Sequence, residues 1–204
     1  DGMAALALGS DSGGSCRSPA ALSGAVGFKP TTRRLPNEGM VPLFPSTDVA
    51  GPIGASVSCC AVADAILTGQ RTIEAPEPIS VNGLRLAIPK SLVLDDLEKP
   101  VALAFERALT RLSEAGARII EIPFSELSEV WEESCFARLT GVEAYALHRH
   151  RLAEAGNRYD PLVRHRFDLG ESMSAADYID VCQERADLID RAAKTTTPYD
   201  AAAW

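Results

Sequence analysis

The 204 residues carry 28 Asp and Glu against 20 Lys and Arg, a net charge of −8, which leaves no basic footprint for nucleic acid. With 46% hydrophobic and 24% charged residues the chain can bury a core, which excludes disorder, and no stretch reaches the roughly 18 apolar residues of a membrane span. Five cysteines, Cys16, Cys59, Cys60, Cys135 and Cys182, form an odd set without C-x-x-C spacing, which fits a reduced cytoplasmic protein and argues against a disulfide scaffold or a metal site.

In chain order, residues 3–8 (MAALAL) read as a buried strand. Next comes GSDSGGSCRSPA, a small-residue turn that opens a short helix over 18–22, with Pro19 suited to its first turn. Residues 31–54, rich in Pro and Gly, read as a long ordered loop, and loops of this length in a compact fold are usually functional. A buried helix is predicted over 57–68, closed by Gly69, and a linker over 70–80. A β-α-β unit follows, with a strand at 84–88 and a parallel strand at 118–122. Its helix opens at Pro100, places Val101, Phe105, Ala108, Leu109 and Leu112 on one face, and ends at Gly116. Residues 127–153 read as an amphipathic helix in which Glu143 is expected in a surface salt bridge. Ser174-Ala175-Ala176-Asp177 reads as a capping box opening a helix to about Lys194, and no element is predicted for the alanine run near the end.

The chemistry concentrates at Gly13-Gly14-Ser15. Adjacent glycines admit backbone conformations closed to other residues and let a substrate reach main-chain N–H groups with no Cβ in the way. A serine hydroxyl beside such donors is the pairing that acyl transfer needs, a nucleophile next to an oxyanion stabiliser. The helix starting behind it adds positive dipole character. An isolated Gly-Gly-Ser is more often a surface turn, so the wider wording decides. Cys16 adjoins the serine and reads as a space-filling residue. His148, His150 and His165 lack zinc-ligand spacing and read as solvated surface residues; a histidine base for Ser15 stays open on the sequence.

From residue 6 to residue 31 the chain reads LALGSDSGGSCRSPAALSGAVGFKPT, which closely resembles the amidase signature family, whose usual wording is near ALGTDTGGSIRxPAAxxGxxGLKPT. The likeness continues through Gly39-Met40-Val41-Pro42, Ser46-Thr47-Asp48 and Gly51-Pro52-Ile53. It persists more weakly through Tyr159-Asp160-Pro161, Ala175-Ala176-Asp177-Tyr178 and Pro198-Tyr199-Asp200. The resemblance implies an α/β fold with a mixed sheet flanked by helices, residues 1–204 being the central part of one such domain. It implies Ser15 as the nucleophile of a Ser, cis-Ser, Lys triad, with the N–H groups of Ser12, Gly13, Gly14 and Ser15 as the oxyanion hole and Ser10, Asp11 and Arg17 as loop support. It implies no metal or organic cofactor, a small-molecule amide as partner, and a cytoplasmic enzyme for which a homodimer is left open.

Departures from the family wording are small: Ser10 and Ser12 stand where threonine is usual, Cys16 where an aliphatic residue is, and Ser18 precedes the proline. A larger departure concerns the base. The family's lysine and cis-serine lie upstream of the nucleophile, and residues 1–14 hold neither a lysine nor a G-S-S-G-G-S-type stretch. Lys29 falls on the G-[FL]-K-P-T station, which has no triad role, and Lys90, Lys99 and Lys194 lie further on. With Asp1 in first place, the chain is expected to be a piece of a longer enzyme and catalytically incomplete by itself. The expected reaction is hydrolysis of a linear carboxamide through an acyl-enzyme on Ser15. Two other readings stay open. One is the glutaminase subunit of a tRNA-dependent amidotransferase, whose usual K-P-T-Y-G-R-V-S differs from Lys29-Pro30-Thr31-Thr32-Arg33-Arg34-Leu35-Pro36. The other is a non-catalytic anion-binding module, which as a P-loop would need G-K-[ST] after the glycines.

Overall fold

The computed structural model describes residues 3–90, 92–132 and 135–204. They group into two compact units, Asp1–Pro78 with Ala146–His150, and Ile79–Tyr145 with Arg151–Trp204. The fold is α/β with helices flanking sheets, and each unit holds one three-stranded sheet.

The first unit is built on β3 (Val49–Gly54), which pairs antiparallel with β1 (Leu6–Asp11) on one side and the two-residue β2 (Val26–Gly27) on the other. This corrects the loop expected over 31–54, whose last six residues form the central strand. Gly51 and Pro52 disguise it, because both residue types are depleted from strand interiors. Glycine is required at 51 by close packing: a Cβ there would lie 2.2 Å from Phe28 O. The strand expected at 3–8 is also shifted, and it is not buried; Leu6 and Leu8 are 43% and 64% exposed. Its limits follow β3, since pairing runs from Leu6 opposite Gly54 to Asp11 opposite Val49, and as an edge strand it has a neighbour on one side only among the described residues. Helices α1 (Arg17–Leu22) and α2 (Val57–Leu67) agree with expectation to within a residue. Ser56 caps α2 by accepting from Cys59 N (3.2 Å), and Gly69 at φ 70° closes it.

In the second unit the β-α-β element is present as β4 (Arg85–Pro89), α3 (Lys99–Glu114) and β5 (Arg118–Ile122), with the strands parallel. The face of α3 is shallower than its stripe suggests, since Phe105, Leu109 and Leu112 are half-buried while Val101 and Ala108 are exposed. The helix expected over 127–153 is described as α4 (Ser125–Glu132) and α5 (Cys135–Ala155), with residues 133–134 outside the described residues. A 3-10 turn (Gly156–Arg158) and α6 (Pro161–Asp168) were not predicted, although Asp160 before Pro161 is a helix-start signal and caps α6 by accepting from Leu162 N (2.9 Å). Helix α7 (Ala175–Thr196) opens at the predicted capping box and meets α5 around Cys135, Leu139 and Val181. A short β6 (Ala201–Ala202) adds in parallel to β4, held by Asp200, whose carboxylate accepts from Arg85 N (2.7 Å), Nε (3.2 Å) and Nη2 (3.0 Å). Alanine carries little strand preference, so pairing and this ion pair make the strand, and composition conceals it. No helix among the described residues is long and apolar enough to cross a membrane.

One strained position gives a test. Arg33 is the third residue of a turn closed by Arg34 N on Thr31 O (3.0 Å), and its φ of 68° is the left-handed value that this turn position reserves for glycine. The side chain is exposed. Arg33→Gly is expected to stabilise the protein by about 1 kcal/mol, read as a higher denaturant midpoint at unchanged slope. A lower midpoint would show that the turn is not strained.

Candidate active site

β1 ends by delivering Asp11 to the start of the Gly-rich turn with no exposed surface. Burial there pushes its carboxyl pKa up, but the Arg17 guanidinium and the loop amides outweigh this and hold it at about 2, so it is ionised. Arg17 answers the charge as a fork, Nε on Oδ2 (2.9 Å) and Nη2 on Oδ1 (3.0 Å). The same carboxylate accepts from the backbone N–H groups of Gly14 (2.7 Å), Cys16 (3.2 Å) and Arg17 (3.3 Å). One buried anion thus sets the turn from Gly14 to Arg17. Gly14 takes φ 130°, a conformation that calls for glycine.

Ser15 lies at the top of this turn with an exposed side chain. Its hydroxyl makes no hydrogen bond with any described residue, so neither a lysine nor a histidine of the described residues acts on it as a base in this structure. Lys29 instead donates to Pro30 O (3.2 Å), and Lys90 pairs with Glu121 (2.5 Å). Of the four N–H groups expected to face a substrate, that of Gly14 is committed to Asp11; those of Ser12, Gly13 and Ser15 are not. Cys16 points the other way. It is fully buried, its thiol donates to Gly51 O (3.3 Å), and a Cβ on Gly9 would lie 2.7 Å from its sulfur. Burial, and then the charge of Asp11, push the thiol pKa up, which fits the space-filling role expected of it.

The structure therefore brings Asp11, Ser12, Gly13, Gly14, Ser15 and Arg17 together, while Ser10 stands exposed on β1. One residue with no role assigned from the sequence joins them. Asp48, 5% exposed, accepts on Oδ1 from the Ser12 hydroxyl and on Oδ2 from Leu43 N (2.7 Å) and Phe44 N (2.8 Å). Its place in Ser46-Thr47-Asp48, just before the central strand, was the available signal. Glu143 corrects another expectation: it is buried, and Tyr178 donates to it (3.4 Å). His148 is half-buried, while His150 and His165 are exposed as expected. Among the described residues no group of three His, Cys, Asp or Glu is placed to hold a metal ion. A cavity of about 350 Å³, lined by Phe28, Val57, Cys60 and Ala65 and walled by the Arg34–Asp64 ion pair, does not include Ser15.

A family model described as Amidase matches residues 1–203. The chain is 37% identical over 179 residues to the 2-amino-5-chloromuconic acid deaminase of Comamonas testosteroni, covering 87% of this chain and 39% of that protein. It is 40% identical over 124 residues to the mandelamide hydrolase of Pseudomonas putida, covering 61% of this chain and 24% of that one. A solved structure described as "Crystal structure of amidase" matches with a TM-score of 0.84 at 32% identity, over 97% of this chain and 44% of that chain. The chain thus spans less than half the length of these relatives.

The Asp11 cluster predicts an acid limb of defined sign. A folded-state pKa depressed from 3.8 to about 2 contributes stability that is present above pH 3.8 and is lost as pH falls towards 2. Asp11→Ala leaves the Arg17 charge and three N–H groups without their acceptor, so it is expected to cost about 3 kcal/mol at pH 7 and to flatten that limb. Denaturant midpoints from pH 7 to pH 2 check both; a variant with the unaltered midpoint at pH 7 would contradict this account.

Proposed function

This chain belongs to the amidase family, and on that premise we propose that the protein containing it hydrolyses the C–N bond of a small carboxamide, with Ser15 as nucleophile. The observation that carries the reading is the Ser15 hydroxyl, exposed on a loop whose backbone a fully buried Asp11 holds in place. Rigid donors around an exposed hydroxyl are what an acyl-transfer site requires, because their orientation is settled before the reaction begins.

In this scheme Ser15 Oγ attacks the amide carbonyl carbon, and the carbonyl oxygen becomes an oxyanion. The N–H groups of Ser12, Gly13 and Ser15 receive it, while Gly14 supplies the turn and Asp11 its support. The tetrahedral adduct collapses, the nitrogen leaves as ammonia or an amine with a proton, and water hydrolyses the acyl-enzyme. A serine needs a neighbouring base for the first step. The lysine and bridging cis-serine implied by the family likeness supply it from outside these 204 residues, which form the central part of one amidase domain. That lysine has to be neutral to accept the proton, a state that desolvation favours by lowering its pKa. The name of the Pseudomonas putida relative supports a small carboxamide as substrate. The acidic net charge supports no nucleic-acid partner, and the odd set of cysteines supports a reducing, cytoplasmic setting.

Ser15→Ala in the complete protein is expected to abolish carboxamide hydrolysis with an unchanged melting temperature, and a fluorophosphonate probe is expected to form its adduct on Ser15. Cys16→Ala should keep most of the activity and lose about 1 kcal/mol of stability, since it empties a small buried site. Near-normal turnover in Ser15→Ala, or an adduct mapped to another serine, would sink the assignment.

A further inference from the structure

We propose that Asp48 is a positioning residue for the hydrolysis inferred above, fixing the oxyanion side of the Ser15 loop through the Ser12 hydroxyl. This rests on the functional reading just given. Asp48 is buried at the junction between the long loop and β3, and no Lys or Arg among the described residues pairs with it. Neutral donors alone meet its carboxylate: the Ser12 hydroxyl on one oxygen, the Leu43 and Phe44 amides on the other. Holding a carboxylate away from water without a cation is costly, so a turn at 43–44 alone is a poor reason for an aspartate here. The second oxygen explains it, because it reaches a different segment and grips Ser12.

The consequence falls on Gly13. It has no side chain to anchor it, and glycine explores more backbone conformations than any other residue. The direction of its N–H is set by the Ser12–Gly13 peptide plane, hence by how firmly Ser12 is held. Asp11 clamps the loop on the far side of Gly13, at Gly14, and Asp48 clamps it on the near side, at Ser12. Two carboxylates at the same end of the paired strands β1 and β3 therefore bracket the Gly13 amide; Asp11 lies opposite Val49, the residue after Asp48. A threonine at position 12 would keep the hydroxyl, and an alanine would not.

The test uses the complete protein and two readouts, the second-order rate of Ser15 labelling by a fluorophosphonate and the heteronuclear NOE of the Gly13 amide. Ser12→Ala removes one hydroxyl and leaves the 43–44 turn on Asp48 intact. It is expected to slow labelling about tenfold and to lower the Gly13 NOE, with a melting temperature lowered by only a few degrees, since one donor to a buried carboxylate is lost. Ser12→Thr should restore both, which a role confined to packing would not require. In Asp48→Asn, adding Ser12→Ala should cost little more than Asp48→Asn alone, because both act through one bond. An unaltered labelling rate or an unaltered Gly13 NOE in Ser12→Ala overturns the proposal. Failure of the unsubstituted protein to label at Ser15 would instead overturn the functional reading, and the Gly13 NOE would still decide the positioning role.

Discussion

Asp11 brings a charge into a place with no exposed surface, and that charge has to be answered within hydrogen-bonding reach. The answer draws in Arg17 from the first turn of α1 and the N–H groups of Gly14, Cys16 and Arg17 from the loop between. Once those partners are fixed, few backbone paths from β1 to α1 remain. Ser15 is exposed because the residues on both sides of it point their polar groups inward to the same carboxylate. The loop is ordered by electrostatics and hydrogen bonding, with little apolar burial of its own.

Such a loop needs a floor, and close packing of backbones provides it. A Cβ on Gly27 would lie 2.5 Å from Cys16 O, and one on Gly51 would lie 2.2 Å from Phe28 O, so β2, β3 and the loop approach more closely than side chains permit. Cys16 fills the small space left under the turn. This is also why the sheet was hard to read. Glycine and proline in β3 serve that approach, and the same residues erase the alternating pattern by which a strand is recognised.

Elements that carry their own local logic were legible: α2 through Ser56 and Gly69, α7 through its capping box, β4 and β5 through their apolar runs around an amphipathic helix. The Gly-Gly-Ser turn was legible for the same reason, since its residues lie together in sequence. Elements made by partners far along the chain were not. β6 depends on Asp200 meeting Arg85 across 115 positions, and the buried Glu143 accepts from Tyr178, 35 positions on. Asp48 reaches Ser12 across 36 positions, and no periodicity announces such a bond.

Ser15 and Cys16 are adjacent, and by intrinsic reactivity the sulfur would win. The loop reverses that order by direction alone. Turning Cys16 inward removes it from water and sets it near the Asp11 carboxylate, and both raise the energy of the thiolate, the only form of cysteine that attacks well. Turning Ser15 outward leaves a hydroxyl that is reactive only when a base is brought to it. Burial under the turn, with the carboxylate that organises the loop, thus also disfavours the competing nucleophile, and in the proposed scheme control of the reaction passes to whatever base approaches Ser15.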